Sequence, residues 1–232
     1  FITFICLLLF EIVLRFKGIG PNNIIYYSSN YYGYYQAPNQ KINRRGNSIT
    51  LDSFGNRNPK TNTFENASLI FLGDSITYGG SVVNDNEIFS NLVANKMNVE
   101  HLNISSNGWG IPNMINFIDF HNLYKENSTY ILTCINDCYF RNLRKIEQNF
   151  FASKKDQLGI SFLIRYFIFN ILKNSYSIDK QPISEKFDNL KTADKSVNSL
   201  SIFKKKLTDL NSRLIIIHSP NKERMKDLIL DK

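Results

Sequence analysis

The chemistry of this chain begins at Ser75. It follows a short apolar run, Leu69-Ile70-Phe71-Leu72, and a turn-forming Gly73-Asp74. A run of that length and composition reads as a buried strand. In open α/β sheets, ligands bind outside the carboxyl ends of the strands, so Ser75 stands where a nucleophile is useful. Gly73 permits a tight turn and the close approach of a substrate. The plain alternative is a strand-to-turn junction in which Asp74 or Ser75 caps the next helical turn. Two later stretches favour chemistry. A second apolar run ends in Asn103-Ile104-Ser105-Ser106-Asn107-Gly108-Trp109-Gly110, and a third in Cys134-Ile135-Asn136-Asp137. Acyl transfer by serine needs hydrogen-bond donors where the oxyanion forms. The Gly108 N–H, the Asn136 side-chain amide and the N–H of Ser75 itself are donors of the right type. Asp74 reads as the cap of the turn after the first strand, and Asp137 as a support for Asn136.

A serine hydroxyl becomes a good nucleophile only beside a general base. The chain has three histidines. His101 begins the second strand, at the wrong end for this site, and His121 falls within a helical pattern. His218 closes the fourth apolar run, at the correct end, and is the substitute base to test. A structural histidine is the competing reading. Cys6, Cys134 and Cys138 form no disulfide framework and no zinc-ligand set, so they read as free or buried thiols. No metal or other cofactor is expected.

The elements that must position these groups follow from periodicity. Strands are predicted at 69–72, 99–104, 130–135 and 214–217. Helices are predicted at 87–97, 113–124 and 199–210, and another near Asn221. In the first of these, Ile88, Phe89, Leu92, Val93 and Met97 form the apolar face, with Asp85 or Asn86 as cap. Residues 162–172 are strongly apolar and read as a packing helix, a lid or a membrane-surface helix. Strands alternating with helices at this spacing argue for a parallel sheet covered on both faces. In such a sheet the three polar strand ends lie along one edge. Together these features predict an α/β protein, a three-layer α/β/α sandwich of flavodoxin-like type.

With 232 residues, 43% hydrophobic and 21% charged, the chain has enough apolar material for one sizeable core. Its formal charge of +8 is dispersed, with no compact basic stripe that would mark a nucleic-acid partner. Residues 1–17 are almost wholly apolar and read as a partial transmembrane or signal-anchor helix, shorter than the ~20 residues a span needs. Residues 18–66 are tyrosine-rich, without helical period. They read as an extended linker with a lead-in strand near 48–53, its tyrosines suited to a membrane interface. Residues 67–232 carry the catalytic-domain pattern.

Taken in order, the three blocks resemble the SGNH/GDSL hydrolase family. Gly73-Asp74-Ser75-Ile76 is similar to its first block, with Ser75 in the nucleophile position. The stretch from Asn103 to Gly108 is similar to its second, with Gly108 as oxyanion glycine. Asn136-Asp137 is similar to its third, with Asn136 as oxyanion asparagine, although Cys134 stands where that block usually has glycine. Gly55-Asn56-Arg57 and the apolar start are similar to membrane-anchored members. The resemblance implies a serine esterase, acyl hydrolase or O-acyltransferase. Its substrate would be a small ester or an acylated cell-envelope carbohydrate. The domain would be extracytoplasmic and held at the membrane by the N-terminal helix. The family's Asp-x-x-His block does not occur in this chain, so the resemblance puts that block beyond residue 232 and the SGNH fold reads as incomplete at the C-terminus. The alternative is a catalytically silent, membrane-tethered carbohydrate-binding or scaffold domain on the same fold.

Overall fold

The computed structural model describes residues 2–17, 19–20, 23–58, 63–135, 137–143, 158–175 and 185–219. Helix α1 (Ile2–Phe16) comes first. Two antiparallel hairpins follow, β1 (Tyr26–Ser29) with β2 (Gly33–Gln36) and β3 (Lys41–Arg44) with β4 (Asn47–Thr50). The remaining elements are β5 (Leu69–Gly73), the short helix α2 (Ser75–Tyr78), α3 (Phe89–Met97), β6 (His101–Ser105), α4 (Ile111–His121), β7 (Thr129–Ile135), α5 (Gly159–Ser175), α6 (Glu185–Asp209) and β8 (Arg213–Ser219).

The four predicted strands form one sheet in the order β6-β5-β7-β8, and each neighbouring pair is parallel. Every residue of β5 is buried, as a central parallel strand covered on both faces requires. On one face Ile70, Leu72, Ile104, Tyr130 and Leu132 pack with Met114, Phe117 and Ile118 of α4 and Phe203 and Leu207 of α6. On the other, Leu69, Phe71 and Ile131 meet Phe89 and Val99. The architecture is therefore an α/β/α sandwich. Because the strands are parallel and in register, Gly73, Ser105 and Ile135 all end at one edge.

The structure departs from the sequence reading in four places. First, α3 is turned relative to its apolar pattern. Ile88 is buried and Phe89 packs against Phe71 as the pattern expects, but Leu92 and Met97 are exposed, while Ser90, Asn91 and Ala94 are buried. Polar partners account for it. Asn91 Nδ2 donates to the Asp85 carbonyl at 3.1 Å, and Ser90 Oγ accepts from Asn103 Nδ2 at 3.1 Å. Second, the tyrosine-rich segment is part of the domain's core. Tyr26, Tyr34 and Tyr35 are buried together with Trp109, Phe117 and the sheet. Paired strands give these rings a surface to pack against, which a linker at a membrane interface would not.

Third, the membrane-spanning reading of residues 1–17 is not supported. Among the described residues no helix is long and apolar enough to cross a membrane. Most of α1's apolar side chains are exposed, but Leu14 is buried. The Glu11 carboxylate accepts the N–H groups of Gly159 and Ile160 at 2.9 and 3.1 Å, which ties α1 to the start of α5. Fourth, Cys134 and Cys138 are joined as a disulfide, not left as thiols. The turn after β7 brings their Cα atoms to 5.7 Å, within the span such a bridge needs. The helix expected near Asn221 lies outside the described residues.

Candidate active site

β5 ends at Gly73, and the next residue starts a helical turn. The Asp74 carboxylate accepts the Ile76 N–H through Oδ1 at 3.0 Å, capping α2 with Ser75 as its first residue. Asp74 is buried and Ser75 is exposed. The serine hydroxyl is therefore presented to solvent on a turn whose base is fixed. Asn103, buried in β6, fixes the far side of that turn: its Nδ2 donates to the Thr77 carbonyl at 2.8 Å. The Ser106 N–H donates to the Gly73 carbonyl at 3.3 Å, so the loops after β5 and β6 are joined directly.

In the second loop Gly108 has φ +78°, a left-handed conformation that side chains other than glycine adopt only under strain. The Asn107 carbonyl accepts the Tyr34 hydroxyl, and Asn107 Nδ2 donates to the Tyr26 hydroxyl at 2.9 Å. Trp109 is buried, stacks on Tyr35 at 5.2 Å between ring centroids, and donates its Nε1–H to the Tyr34 carbonyl at 2.9 Å.

Arg141 ties the third strand end to the other two. Its Nη1 donates to Asp74 Oδ2 at 3.0 Å and to the Trp109 carbonyl at 2.9 Å. Its Nε and Nη2 donate to the two carboxylate oxygens of Asp137 at 3.0 and 2.7 Å. One guanidinium thus joins groups that follow β5, β6 and β7, which uses the planar fork a lysine lacks. Burial works against its charge, but the hydrogen bonds it donates to Asp137 and Asp74, with the charges of those two carboxylates, hold its pKa above the ordinary arginine value. A Cβ on Gly110 would lie 2.6 Å from Arg141 Cβ and 2.8 Å from its carbonyl oxygen, so only glycine lets Arg141 lie so close.

Arg57 holds the loop after Ser75. It is fully buried, pairs with Asp85 at 2.9 Å, and donates to the carbonyls of Ser48, Tyr78, Gly80 and Val83. The segment from the end of α2 to Asp85 is thereby bound to the β3–β4 hairpin.

Of the predicted site residues, Gly73, Asp74, Ser75, Gly108 and Asp137 all lie in the loops at the carboxyl edge of the sheet. Asn136 lies outside the described residues. Asp74 caps the turn, as its position suggested. Asp137 is engaged by Arg141. His101 is buried at the start of β6, at the opposite edge. His121 closes α4 and lies tilted against Phe117, with ring centroids 4.3 Å apart. Burial pushes its pKa down. His218 pairs with Cys134 across β7 and β8, at the correct edge but with β7 between it and β5. That is two strand spacings, about 10 Å.

No family profile matches this chain, and no curated protein matches it. Among solved structures it is similar to a member of the lipolytic protein G-D-S-L family from Veillonella parvula DSM 2008. Identity is 15%, the TM-score is 0.30, and the match covers 69% of this chain and 82% of that one. A likeness that slight transfers neither an activity nor a residue.

Three supports of the site were not visible as such in the sequence. Arg141 carries no motif, and its partner Asp74 is 67 positions away. Gly110 followed the second block, but its reason is contact with Arg141. Tyr34 sat in a segment without period. Arg57 had a signal, in Gly55-Asn56-Arg57 ahead of the first core strand, though not its partners.

Proposed function

We propose that this chain is a serine esterase or acyl hydrolase of the SGNH/GDSL type, acting on O-acyl esters through Ser75. The observation that carries the reading is the joining of three strand-end loops by Arg141, with an exposed serine on the first and a left-handed Gly108 on the second. In the proposed reaction the Ser75 oxygen attacks the ester carbonyl. The carbonyl oxygen takes up negative charge, and the N–H groups of Ser75 and Gly108, with the Asn136 amide, receive it. Collapse expels the alcohol, which leaves with the proton given up by the Ser75 hydroxyl, and an acyl-serine remains; its acyl group then passes to water or an acceptor hydroxyl, whose proton returns to the Ser75 oxygen. Acylated cell-envelope carbohydrate is the substrate class the motif resemblance suggests.

The test is hydrolysis of p-nitrophenyl acetate by the chain and by Ser75→Ala. His101 lies at the opposite edge of the sheet, His121 at the end of α4 and His218 two strands from β5, so turnover is expected to be slow. It should nevertheless depend on Ser75, and His218→Ala should change it less than about twofold, since His218 is set off by two strands. Loss of turnover in His218→Ala would make His218 the base. Turnover that survives Ser75→Ala unchanged would sink the reading and leave a non-catalytic binding domain on this fold.

A further inference from the structure

The hairpin tyrosines reach the candidate oxyanion donor through one peptide. The carbonyl of Asn107 and the N–H of Gly108 belong to the same amide plane. The described chain has no cis peptide bond, so these two groups point in opposite directions across that plane. Whatever fixes the direction of the carbonyl fixes the direction of the N–H. The Tyr34 hydroxyl donates to this carbonyl. Tyr34 is itself buried in β2, where its backbone pairs with Ser28 and its carbonyl receives the Trp109 indole N–H. The Asn107 side chain is held separately by Tyr26, whose phenol burial keeps neutral by pushing its pKa up, against the opposing effect of the Asn107 hydrogen bond.

We propose that Tyr34 is a positioning residue for the oxyanion site, its hydroxyl fixing the 107–108 peptide so that the Gly108 N–H faces the developing charge. The inference rests on the serine-hydrolase reading. Two physical effects act together. A hinge-prone glycine with φ +78° is held in one orientation before substrate arrives, which is the preorganisation that makes such donors effective. A hydrogen bond accepted by the carbonyl also polarises the amide and strengthens its N–H as a donor.

The experiment compares the full chain with Tyr34→Phe, which removes only the hydroxyl. Tyr130→Phe serves as control. Tyr130 is also buried, and its hydroxyl donates to the Leu123 carbonyl at 2.8 Å, away from the 107–108 peptide. Asn107-Gly108 is the only Asn-Gly pair in the sequence. Carbonyl-¹³C asparagine with ¹⁵N-glycine therefore lights a single amide, the one in question. Tyr34→Phe should move both its carbonyl and its N–H resonances, and Tyr130→Phe neither. With p-nitrophenyl acetate, Tyr34→Phe should lower kcat about tenfold, part of the ~10²–10³ that loss of an oxyanion donor costs, with KM within twofold. Should Tyr34→Phe fail to fold, 3-fluorotyrosine in the unmutated chain supplies a more acidic hydroxyl, which should shift the same carbonyl in the opposite sense.

A 107–108 resonance untouched by either change overturns the proposal whatever the activity. So does a moved resonance with Ser75-dependent kcat unaltered. Turnover that does not need Ser75 would instead sink the hydrolase reading, and the resonance alone would then tell whether Tyr34 holds the peptide.

Discussion

At the residue scale, Arg141 is the side chain that ties together the loops after β5, β6 and β7. Its bond to Asp74 is buried on both sides, with side chains 10% and 2% exposed, whereas Asp137 is 57% exposed. The second pair should be worth little, in the range ~0.2–1 kcal/mol for exposed ion pairs. The first is different, because removing one partner of a buried pair strands the other charge, at ~3–5 kcal/mol. Arg141→Ala should therefore lower stability by about 3 kcal/mol and reduce Ser75-dependent turnover, read by denaturant unfolding and ester hydrolysis together. Asp137→Ala should cost less than about 1 kcal/mol. Equal losses in the two variants would contradict this ranking. The placement of Ser75 and Gly108 in loops at the carboxyl ends of strands was legible in the sequence because strand ends and glycine turns are local signals. Arg141 was not, because a loop arginine carries no period and its meaning depends on contact across 67 positions.

At the scale of elements, the segment that reads from sequence as a linker forms two hairpins whose residues belong to the core. Tyrosines without period gave no strand signal, since each strand is only four residues long. The face of α3 was misjudged for a related reason: hydrophobic pattern locates the buried side only when the neighbouring surface is apolar. Here Phe71 receives Phe89, but the next neighbours are Asn103 and the Asp85 carbonyl, which select Ser90 and Asn91. Arg57 shows the energetic weight of these hairpins. It is fully buried and saturates four carbonyls besides Asp85. Arg57→Ala would leave those acceptors and the Asp85 carboxylate unpaired, at ~3–5 kcal/mol. Thermal denaturation should show a fall in Tm of roughly 10 °C, given ~2–4 °C per kcal/mol at this chain length. A shift under about 3 °C would mean that the β3–β4 hairpin is not bound through this side chain.

At the scale of the molecule, the sheet was the most legible feature. Four apolar runs gave four strands, all parallel, with boundaries shifted by no more than two residues. Parallel strands buried on both faces must be continuously apolar, so the signal is strong wherever the strand is central. The apolar start was harder to place. A helix with most apolar side chains exposed but one carboxylate capping another helix, as Glu11 caps α5, reads from composition alone like a membrane segment. The consequence of the parallel sheet is functional: it puts the ends of β5, β6 and β7 on one edge, and the central claim is that Ser75 on that edge is a nucleophile. The most direct test is to incubate the folded chain with a fluorophosphonate and locate the adduct by peptide mass spectrometry. A single phosphonyl adduct is expected on Ser75, formed slowly and absent from Ser75→Ala. An unmodified Ser75, or an adduct on another serine with Ser75 untouched, would contradict it.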